Sequence, residues 1–362
     1  MALSDAAREC FLRQAESCRA LGSPFTARLL TLLAEGLSAD SRFGARIEAW
    51  SGDRHDDAVP LRAAAALHAL KRTGDPGLAA VYPPASADDA TLSAALEDAV
   101  SRADDALAAW LDGPPQTNEI GRSAVLLGAL LHLAAETRMP LTLWEIGASA
   151  GLNLRLDRYR YRLGADQPDA RTWGAADAAV AIRCAWEVAD EARDAPPLDA
   201  PLRIADRAGC DLRPLDPADP NTRERLLAYI WADQTERLIR AELALALSAA
   251  DGLKIEQADA ADWLAARLAE PAPSGRVRAV LHTVMWRYMP QETRARIEAM
   301  LAEAGRDARA DAPLAHLSVE PDETRGSARI ALTLWDGSAS AGRPRTLGRA
   351  HFHGLWARWS GG

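Results

Sequence analysis

The stretch that decides the fold class is Leu141-Thr-Leu-Trp-Glu-Ile-Gly-Ala-Ser-Ala-Gly-Leu-Asn-Leu154. Its apolar first half predicts a buried strand with Glu145 at its end, and the small residues from Gly147 to Gly151 predict a sharp turn into a helix. Glycines at such a turn let the backbone approach a ligand closely at the carboxyl end of the strand. The spacing differs from the three-glycine dinucleotide fingerprint, and a tight turn without a ligand is the alternative.

The sequence after Pro140 alternates short apolar runs with long amphipathic segments, which is typical of a parallel sheet with helical crossovers. We predict an α/β domain over residues 116–362 whose sheet ends in a C-terminal antiparallel hairpin. Residues 160–208 fit no regular pattern and are predicted as an insertion. The predicted strands are 141–146, 209–212, 253–257, 277–283 and 314–320, the predicted helices are 152–159, 222–249, 260–269 and 291–304, and the hairpin pairs 328–334 with 346–359.

The sequence before this domain has helical spacing throughout. Leu92, Leu96 and Val100, for example, recur on one helix face. Turn-forming residues such as Gly113-Pro-Pro115 separate the segments, and no strand pattern stands out. We predict an all-helical N-terminal domain of about five helices over residues 1–115.

The charge of the chain bears on which classes of molecule it binds. The chain has 362 residues, with 42 Lys and Arg against 51 Asp and Glu, and a formal net charge of −9. This balance disfavours nucleic acid and anionic membranes as partners. We expect no signal peptide and no membrane span, because the longest apolar run, 124–135, is shorter than the ~20 residues that cross a bilayer. We therefore expect a cytoplasmic protein whose four cysteines are small core residues, and its oligomeric state stays open.

A second group of polar and aromatic residues follows the strand predicted at 277–283. His282, Trp286 and Tyr288 lie at or just beyond its carboxyl end. His282 is a candidate general base, because the pKa of an unperturbed histidine lies near working pH. A hydrogen-bonded core histidine beside packed aromatic rings is the alternative.

Two further clusters carry polar side chains. Asn118, Glu119 and Arg122 open the apolar helix before the first strand, where Thr117 or Asn118 can act as a helix cap and Glu119 and Arg122 share a face. They are candidates either for a structural pair or for a ligand pocket. His351 and His353 alternate along a predicted strand, but no third ligand is evident, so we predict no metal site.

Several motifs together carry a family resemblance. They are Gln116-Thr-Asn-Glu119 with Arg122, Glu145-Ile-Gly-Ala-Ser-Ala-Gly-Leu-Asn153 with Asp157-Arg-Tyr159, Gly209-Cys-Asp-Leu-Arg-Pro-Leu-Asp216, and His282-Thr-Val-Met-Trp286. As a set they resemble a bacterial family catalogued as domain of unknown function 2332. That resemblance covers nearly the whole chain and implies no established reaction.

A second resemblance comes from the glycine turn and the order of the predicted elements. The domain is similar to class I S-adenosylmethionine-dependent methyltransferases, with a Rossmann-like sheet. The resemblance implies that Asp211, with Glu187 as the rival, holds the ribose, and that Asp259 accepts from the adenine amino group. A solvated turn for Asp211 and a helix cap for Asp259 are the alternatives. The residues that the resemblance assigns to the cofactor are Glu145, Gly147, Ser149, Gly151, Asn153, Asp211 and Asp259.

The methyltransferase resemblance also implies a reaction. The methyl group of S-adenosylmethionine would pass to a small molecule or a protein side chain, with His282 and Tyr288 as catalytic residues. Asn118, Glu119, Arg122 and Trp286 would shape the acceptor pocket. The Asp/Asn-Pro-Pro-aromatic motif of enzymes that methylate nucleic-acid amino groups is missing. A non-catalytic metabolite-binding or interaction protein on the same fold is the alternative.

Overall fold

Helices make up the first third of the chain, and most of them begin at a side-chain cap. The computed structural model describes residues 1–113, 115, 118–164, 170–188 and 195–360. Ser4, Ser23, Ser41 and Asp88 each accept a backbone N–H three residues ahead, which satisfies a donor that the first helical turn leaves open. The helices are α1 (Asp5–Ala20), α2 (Pro24–Gly36), α3 (Arg42–Glu48), α4 (Val59–Arg72), α5 (Pro76–Ala79) and α6 (Asp89–Trp110).

These helices belong to the first of two compact units. That unit comprises Met1–Thr117 and also Asp219–Glu242. Asp233 accepts hydrogen bonds from the Ser23 hydroxyl (2.6 Å) and the Phe25 backbone (2.9 Å). Ala232 packs into the same apolar core as the α1–α6 residues. A segment from the middle of the sequence is therefore part of the unit that the N-terminal helices form.

The second unit comprises Asn118–Ala218 and Leu243–Gly362 and contains all the strands. Helix α8 (Pro220–Ala228) lies in the first unit, and α9 (Thr235–Asp251) begins in the first unit and ends in the second. The other helices of the second unit are α7 (Ser123–Thr137), α10 (Ala260–Ala269) and α11 (Gln291–Arg306). The strands are β1 (Leu141–Ile146), β2 (Arg160–Leu163), β3 (Arg171–Trp173), β4 (Ala181–Val188), β5 (Ile204–Asp211), β6 (Glu256–Gln257), β7 (Val277–Thr283), β8 (Leu314–Pro321), β9 (Ala328–Trp335), β10 (Arg345–Ala350) and β11 (Trp356–Trp359).

The strands form one mixed sheet in the order β3-β2-β4-β11-β10-β9-β8-β7-β1-β5-β6. The run β6-β5-β1-β7-β8 is parallel, β8 to β11 are antiparallel neighbours, and β4 pairs in parallel with both β11 and β2. After forming β2, β3 and β4 at the far end of the sheet, the chain adds β5 and β6 on one side of β1 and then crosses to β7 and β8 on the other. This reversal places a topological switch point between β1 and β7, the position at which open α/β sheets generally bind their ligands.

Both faces of the central strands are covered. Every residue of β1 and β7 is buried, as expected for parallel strands between helices. On one face, Trp263 of α10 and Ile297 and Leu301 of α11 join a core that includes Trp144. On the other face lies the apolar helix α7, where a Cβ at Gly128 would come within 2.2 Å of the Trp359 ring. Only glycine permits this close approach of α7 to β11.

The structure confirms a mixed α/β class with a mostly parallel sheet and changes several predicted elements. The helix predicted at 152–159 is a 3₁₀ segment, Asn153–Arg158. The helix predicted at 222–249 is broken between α8 and α9, at the place where Asp233 binds Ser23 and Phe25. The region 160–208 supplies β2, β3, β4 and the start of β5. The final strand predicted at 346–359 is two strands, because residues 351–355 turn between β10 and β11.

Candidate functional site

The loop after β1 is built from residues in left-handed backbone conformations. Gly147, Ser149 and Gly151 have φ values of 69°, 54° and 68°. Serine adopts this region only at a cost, so its presence here marks a loop held in place by its surroundings. A Cβ at Gly147 would lie 2.8 Å from Cε of Met285, and a Cβ at Gly151 would lie 2.6 Å from Cδ1 of Ile255. Both glycines are therefore needed for packing as well as for turn geometry.

Glu145 lies at the end of β1, directly beneath this loop, and is 2% exposed. Its Oε1 accepts a long hydrogen bond of 3.5 Å from Nδ2 of Asn153, and its Oε2 has no hydrogen-bond partner among the described residues. Burial raises the pKa of Glu145 to about 8, against the opposing effects of the Asn153 hydrogen bond and the Arg122 charge. The hydroxyl of Ser149 is also buried without a hydrogen-bond partner in the described structure. Two polar atoms beside the glycine loop thus have no hydrogen-bond partner among the residues that the structure describes.

Two side chains, the buried Arg155 and the half-buried Asn118, support the outer part of the loop. Arg155 is fully buried, donates to the Gly151 carbonyl (2.6 Å) and makes two bonds to Asp251 (2.7 and 2.6 Å). Asn118 accepts from the Leu152 backbone (2.9 Å). Sequence reasoning missed Arg155, although an arginine inside the apolar run Leu154-Arg-Leu156 was the available signal.

The structure places the candidate acids at different locations. Asp211, at the end of β5, accepts the backbone N–H groups of Ser149 and Arg213, each at 2.9 Å, and so touches the glycine loop. Asp259 accepts from the backbone of Ala261 (2.9 Å) and Asp262 (3.1 Å) and is the N-cap of α10. The cap alternative considered for Asp259 is thus what its contacts show.

Glu187, the rival of Asp211, lies on β4 and pairs with Arg358 of β11 at 2.9 Å. Five strands separate β4 from β1 in the order of the sheet. Asp211 is therefore the acid that the structure places against the loop, because β5 is the direct parallel neighbour of β1.

At the end of β7, both ring nitrogens of His282 are engaged. Nδ1 lies 2.7 Å from Oε1 of Glu320, and Nε2 lies 3.0 Å from Nε2 of His316. The ring is 2% exposed and stacks on Trp286, with centroids 4.4 Å apart and an angle of 13° between the planes. Tyr288, in contrast, is 68% exposed, and the Arg287 guanidinium lies 4.8 Å from its ring centroid.

Glu320 and His316, both on β8, are functional candidates that sequence reasoning did not single out. Glu320 also accepts the backbone N–H groups of Met285 (3.1 Å) and Trp286 (3.3 Å), so it anchors the turn after β7. Burial, and secondarily the neighbouring His282, lower the pKa of His316 to about 3. The alternation His316-x-x-x-Glu320 along a strand was the signal, since residues four apart share a face.

The segment before α7 joins the glycine loop to the end of β7. Glu119 is buried and accepts from the Gly121 backbone at 2.9 Å. Arg122 is also buried and donates to the Thr283 carbonyl (2.7 Å) and hydroxyl (3.0 Å). The hydroxyl of Ser123 donates to Asn153 at 2.8 Å. Of the predicted pocket residues, Arg122 therefore contacts the β7 edge directly.

The two C-terminal histidines do not alternate along a strand. Both lie in the turn after β10, where Nδ1 of His351 accepts from the His353 backbone at 3.0 Å. Within the described ranges, no group of three or more His, Cys, Asp or Glu side chains is arranged to hold a metal ion. Across the same residues, none of the helices combines the length and apolar character that a membrane span requires.

Comparison with known proteins yields a family but no characterised relative. No curated protein and no solved structure matches the chain. The model of one family, described as an uncharacterized protein conserved in bacteria, matches residues 8–359. Since this match covers nearly the whole chain, the protein belongs to the bacterial family DUF2332.

Proposed function

We propose that this protein binds S-adenosylmethionine at the loop after β1 and is a methyltransferase for a small molecule or a protein side chain. The observation that carries the proposal is the pair of buried, unpartnered atoms beside the loop, Oε2 of Glu145 and Oγ of Ser149. A ligand hydrogen bond at either atom would offset the cost of burying it. When bound, S-adenosylmethionine supplies an electrophilic methyl group.

The order of the strands supports the site. The run β6-β5-β1-β7-β8 has the chain order of a doubly wound sheet, in which ligands bind at the carboxyl ends beside the switch point. We propose on this basis that the second unit is a Rossmann-like domain of the class I methyltransferase type, preceded by a helical N-terminal domain. The strands beyond β9 extend the sheet on the side away from the glycine loop.

The residues fit the proposed cofactor unevenly. Each carboxylate oxygen of Asp211 accepts one backbone N–H and keeps a second lone pair that suits a ribose hydroxyl. Gly147 has no side chain to cover the loop backbone, but the side chain of Met285 lies over it. Methionine has three rotatable bonds and adapts readily, so Met285 is the side chain that we expect to move aside when a ligand reaches the loop. Asp259 is already used as a helix cap.

One observation favours the alternative, a metabolite-binding protein without catalysis. His282 is buried, and neither of its ring nitrogens is available to the molecule that would receive the methyl group, because Glu320 contacts one nitrogen and His316 the other. A binding protein needs the glycine loop but no general base. The two functions therefore share a ligand site and differ in whether methyl transfer follows.

Calorimetric titration with S-adenosylmethionine and S-adenosylhomocysteine tests the proposal, with NADH and ATP as comparison ligands. We expect micromolar binding of the two sulfur compounds only. Gly147→Val should weaken this binding more than tenfold, because the new side chain would occupy the space over the loop backbone and also forces a β-branched residue into a left-handed conformation.

The matched control is Gly252→Val. Gly252 has the same φ of 69°, but a Cβ there meets nothing within 4 Å. We expect this control to bind as the unchanged protein does. Absence of binding to either sulfur compound, or equal binding by Gly147→Val and Gly252→Val, would reject the site. Binding without methyl transfer to any acceptor would favour the metabolite-binding alternative.

A further inference from the structure

The Glu320–His282–His316 chain has a defined direction of hydrogen bonding. Glu320 accepts two backbone N–H groups as well as the His282 ring, so it acts as an ionised acceptor. Nδ1 of His282 must then carry the proton, which leaves Nε2 of the neutral ring as an acceptor. The only donor that faces this Nε2 in the described structure is Nε2 of His316.

The same reasoning fixes the far end of the chain. Since Nε2 of His316 carries its proton, Nδ1 of the neutral ring is an acceptor. This Nδ1 makes no hydrogen bond to any described residue, and His316 is half-buried. The chain thus begins at a carboxylate, passes through a buried and stacked imidazole, and ends at a nitrogen that no described residue occupies.

We propose that Glu320, His282 and His316 form a proton relay, and that Nδ1 of His316 takes the proton of a hydroxyl-bearing acceptor. His316 would then be the base and His282 its positioning partner. The inference rests on the proposed function only for the identity of the reaction. The relay itself follows from the geometry of β7 and β8.

The proton transfer balances along the chain. The O–H bond of the acceptor breaks, its electron pair stays on oxygen, and the proton bonds to Nδ1 of His316. The Nε2 proton of His316 moves to Nε2 of His282, so His316 ends neutral and His282 becomes an imidazolium beside the Glu320 carboxylate. The positive charge therefore rests 2.7 Å from a carboxylate oxygen and not on His316.

The turn after β7 links the relay to the glycine loop. Trp286 stacks on His282, and its ring centroid lies 6.4 Å from that of His316. Met285, the preceding residue, packs on Gly147. Glu320 anchors the backbone of both residues, so one carboxylate orients the relay and also holds the turn that covers the ligand loop.

The first test uses the unaltered protein and needs no cofactor. Two-bond ¹H–¹⁵N spectra of ¹⁵N-histidine-labelled protein separate the two neutral tautomers, and His282→Gln and His316→Gln identify the signals. At neutral pH we expect His282 protonated at Nδ1 and His316 protonated at Nε2. A protonated Nδ1 on His316, or a charged His316 at pH 7, would overturn the relay.

The second test measures the reactivity of His316 with diethyl pyrocarbonate, followed by peptide mass spectrometry. When Nδ1 of His316 attacks the reagent, the His316 ring becomes positively charged. The relay removes this charge by moving the Nε2 proton of His316 to His282. We expect Glu320→Gln to slow acylation of His316 about threefold to tenfold, because a neutral amide stabilises the imidazolium less than a carboxylate does.

Two controls accompany this measurement. Asp322→Asn removes a nearby carboxylate that pairs with Arg349 outside the relay, and it should leave the rate at His316 unchanged. His55, which is exposed, reports reagent activity within each sample. Equal rates in Glu320→Gln and the unaltered protein would contradict the relay, whereas failure of S-adenosylmethionine to bind would affect only the proposed function.

Discussion

At the scale of single residues, Glu145 has a position that costs stability and that suits a binding site. Its carboxyl is buried at the end of β1, with one oxygen bonded weakly to Asn153 and the other unpartnered in the described structure. Burial of an unpaired carboxylate is costly, and the protein reduces the cost by keeping the group protonated. A site that tolerates such a group is a candidate binding site.

Burial of Glu145 predicts that the free energy of unfolding depends on pH and that Glu145→Gln removes this dependence. The folded-state pKa of about 8 lies above the ordinary value of 4.5, so the stability contribution is full below pH 4.5 and is lost as pH rises towards 8. Glutamine is a neutral isostere of the protonated form. We expect Glu145→Gln to exceed the unaltered protein in unfolding free energy by about 1–3 kcal/mol at pH 8 and to match it near pH 4.5.

Urea unfolding at both pH values measures the effect. Glu187→Gln is the control, because Glu187 lies exposed beside Arg358. A Glu145→Gln protein with no advantage at pH 8 would show that the carboxyl is not held in its protonated form.

At the scale of elements, the glycine loop depends on a contact with a distant part of the chain. Arg155 joins the Gly151 carbonyl to Asp251 at the end of α9, 96 residues later. The arginine is fully buried, and the Asp251 side chain is only 10% exposed. Removal of Arg155 leaves the largely buried Asp251 with the half-exposed Arg158, at 3.2 Å, as its remaining ion-pair partner among the described residues, and loss of a buried partner is costly.

We therefore expect Arg155→Met to lower the free energy of unfolding by about 3–5 kcal/mol. The matched change Arg358→Met removes an exposed arginine from its pair with Glu187 and should cost only about 0–1 kcal/mol. Denaturant unfolding of the two variants provides the comparison. Similar losses in both would mean that the buried pair does not hold the loop.

Asp259 provides a second prediction for an element. As the N-cap of α10, it should tolerate Asn but not Ala, since Asn caps helices about as well as Asp. We expect Asp259→Ala to cost about 1 kcal/mol of unfolding free energy and Asp259→Asn to cost little. If Asp259 only caps α10, both variants keep the affinity for S-adenosylmethionine that calorimetry measures. If only Asp259→Ala loses affinity for S-adenosylmethionine, the result would support the expected contact between Asp259 and the adenine.

At the scale of the whole molecule, each unit contains a histidine whose surroundings lower its pKa. In the first unit, His68 contacts the Ala228 carbonyl at 3.1 Å, and burial lowers its pKa to about 4. In the second unit, the pKa of His316 is lowered further, to about 3. The unfolded chain binds protons at these sites near pH 6.5, so both units lose stability as the medium becomes acidic.

His68→Gln tests this acid sensitivity. The contribution of His68 to stability is full above pH 6.5 and is lost as pH falls towards 4. We expect the variant to have a shallower decline of unfolding free energy over this range, by up to about 1.4 kcal/mol per pH unit. His55→Gln, at an exposed position, should leave the slope unchanged. An unchanged slope in His68→Gln would show that its burial does not exclude protonation.

Much of the sheet was predictable because its strands are locally distinctive. The predicted strand 141–146 coincides with β1 and 277–283 with β7, since residues buried on both faces must form continuous apolar runs. The strands β2, β3 and β4 escaped prediction. Arg160-Tyr-Arg-Leu163, for instance, alternates exposed and buried residues over only four positions, which is too short to distinguish from a loop.

Local sequence patterns were enough to predict the buried strands and the turn at Gly147–Gly151, because these depend on neighbours within a few residues. The contacts of Asp211 with Ser149, of Glu320 with His282 and of Arg155 with Asp251 arise only when the whole chain is packed. These pairs are separated by 62, 38 and 96 residues. Which strands and helices become neighbours is a property of the packed chain, and no local pattern of side chains specifies it.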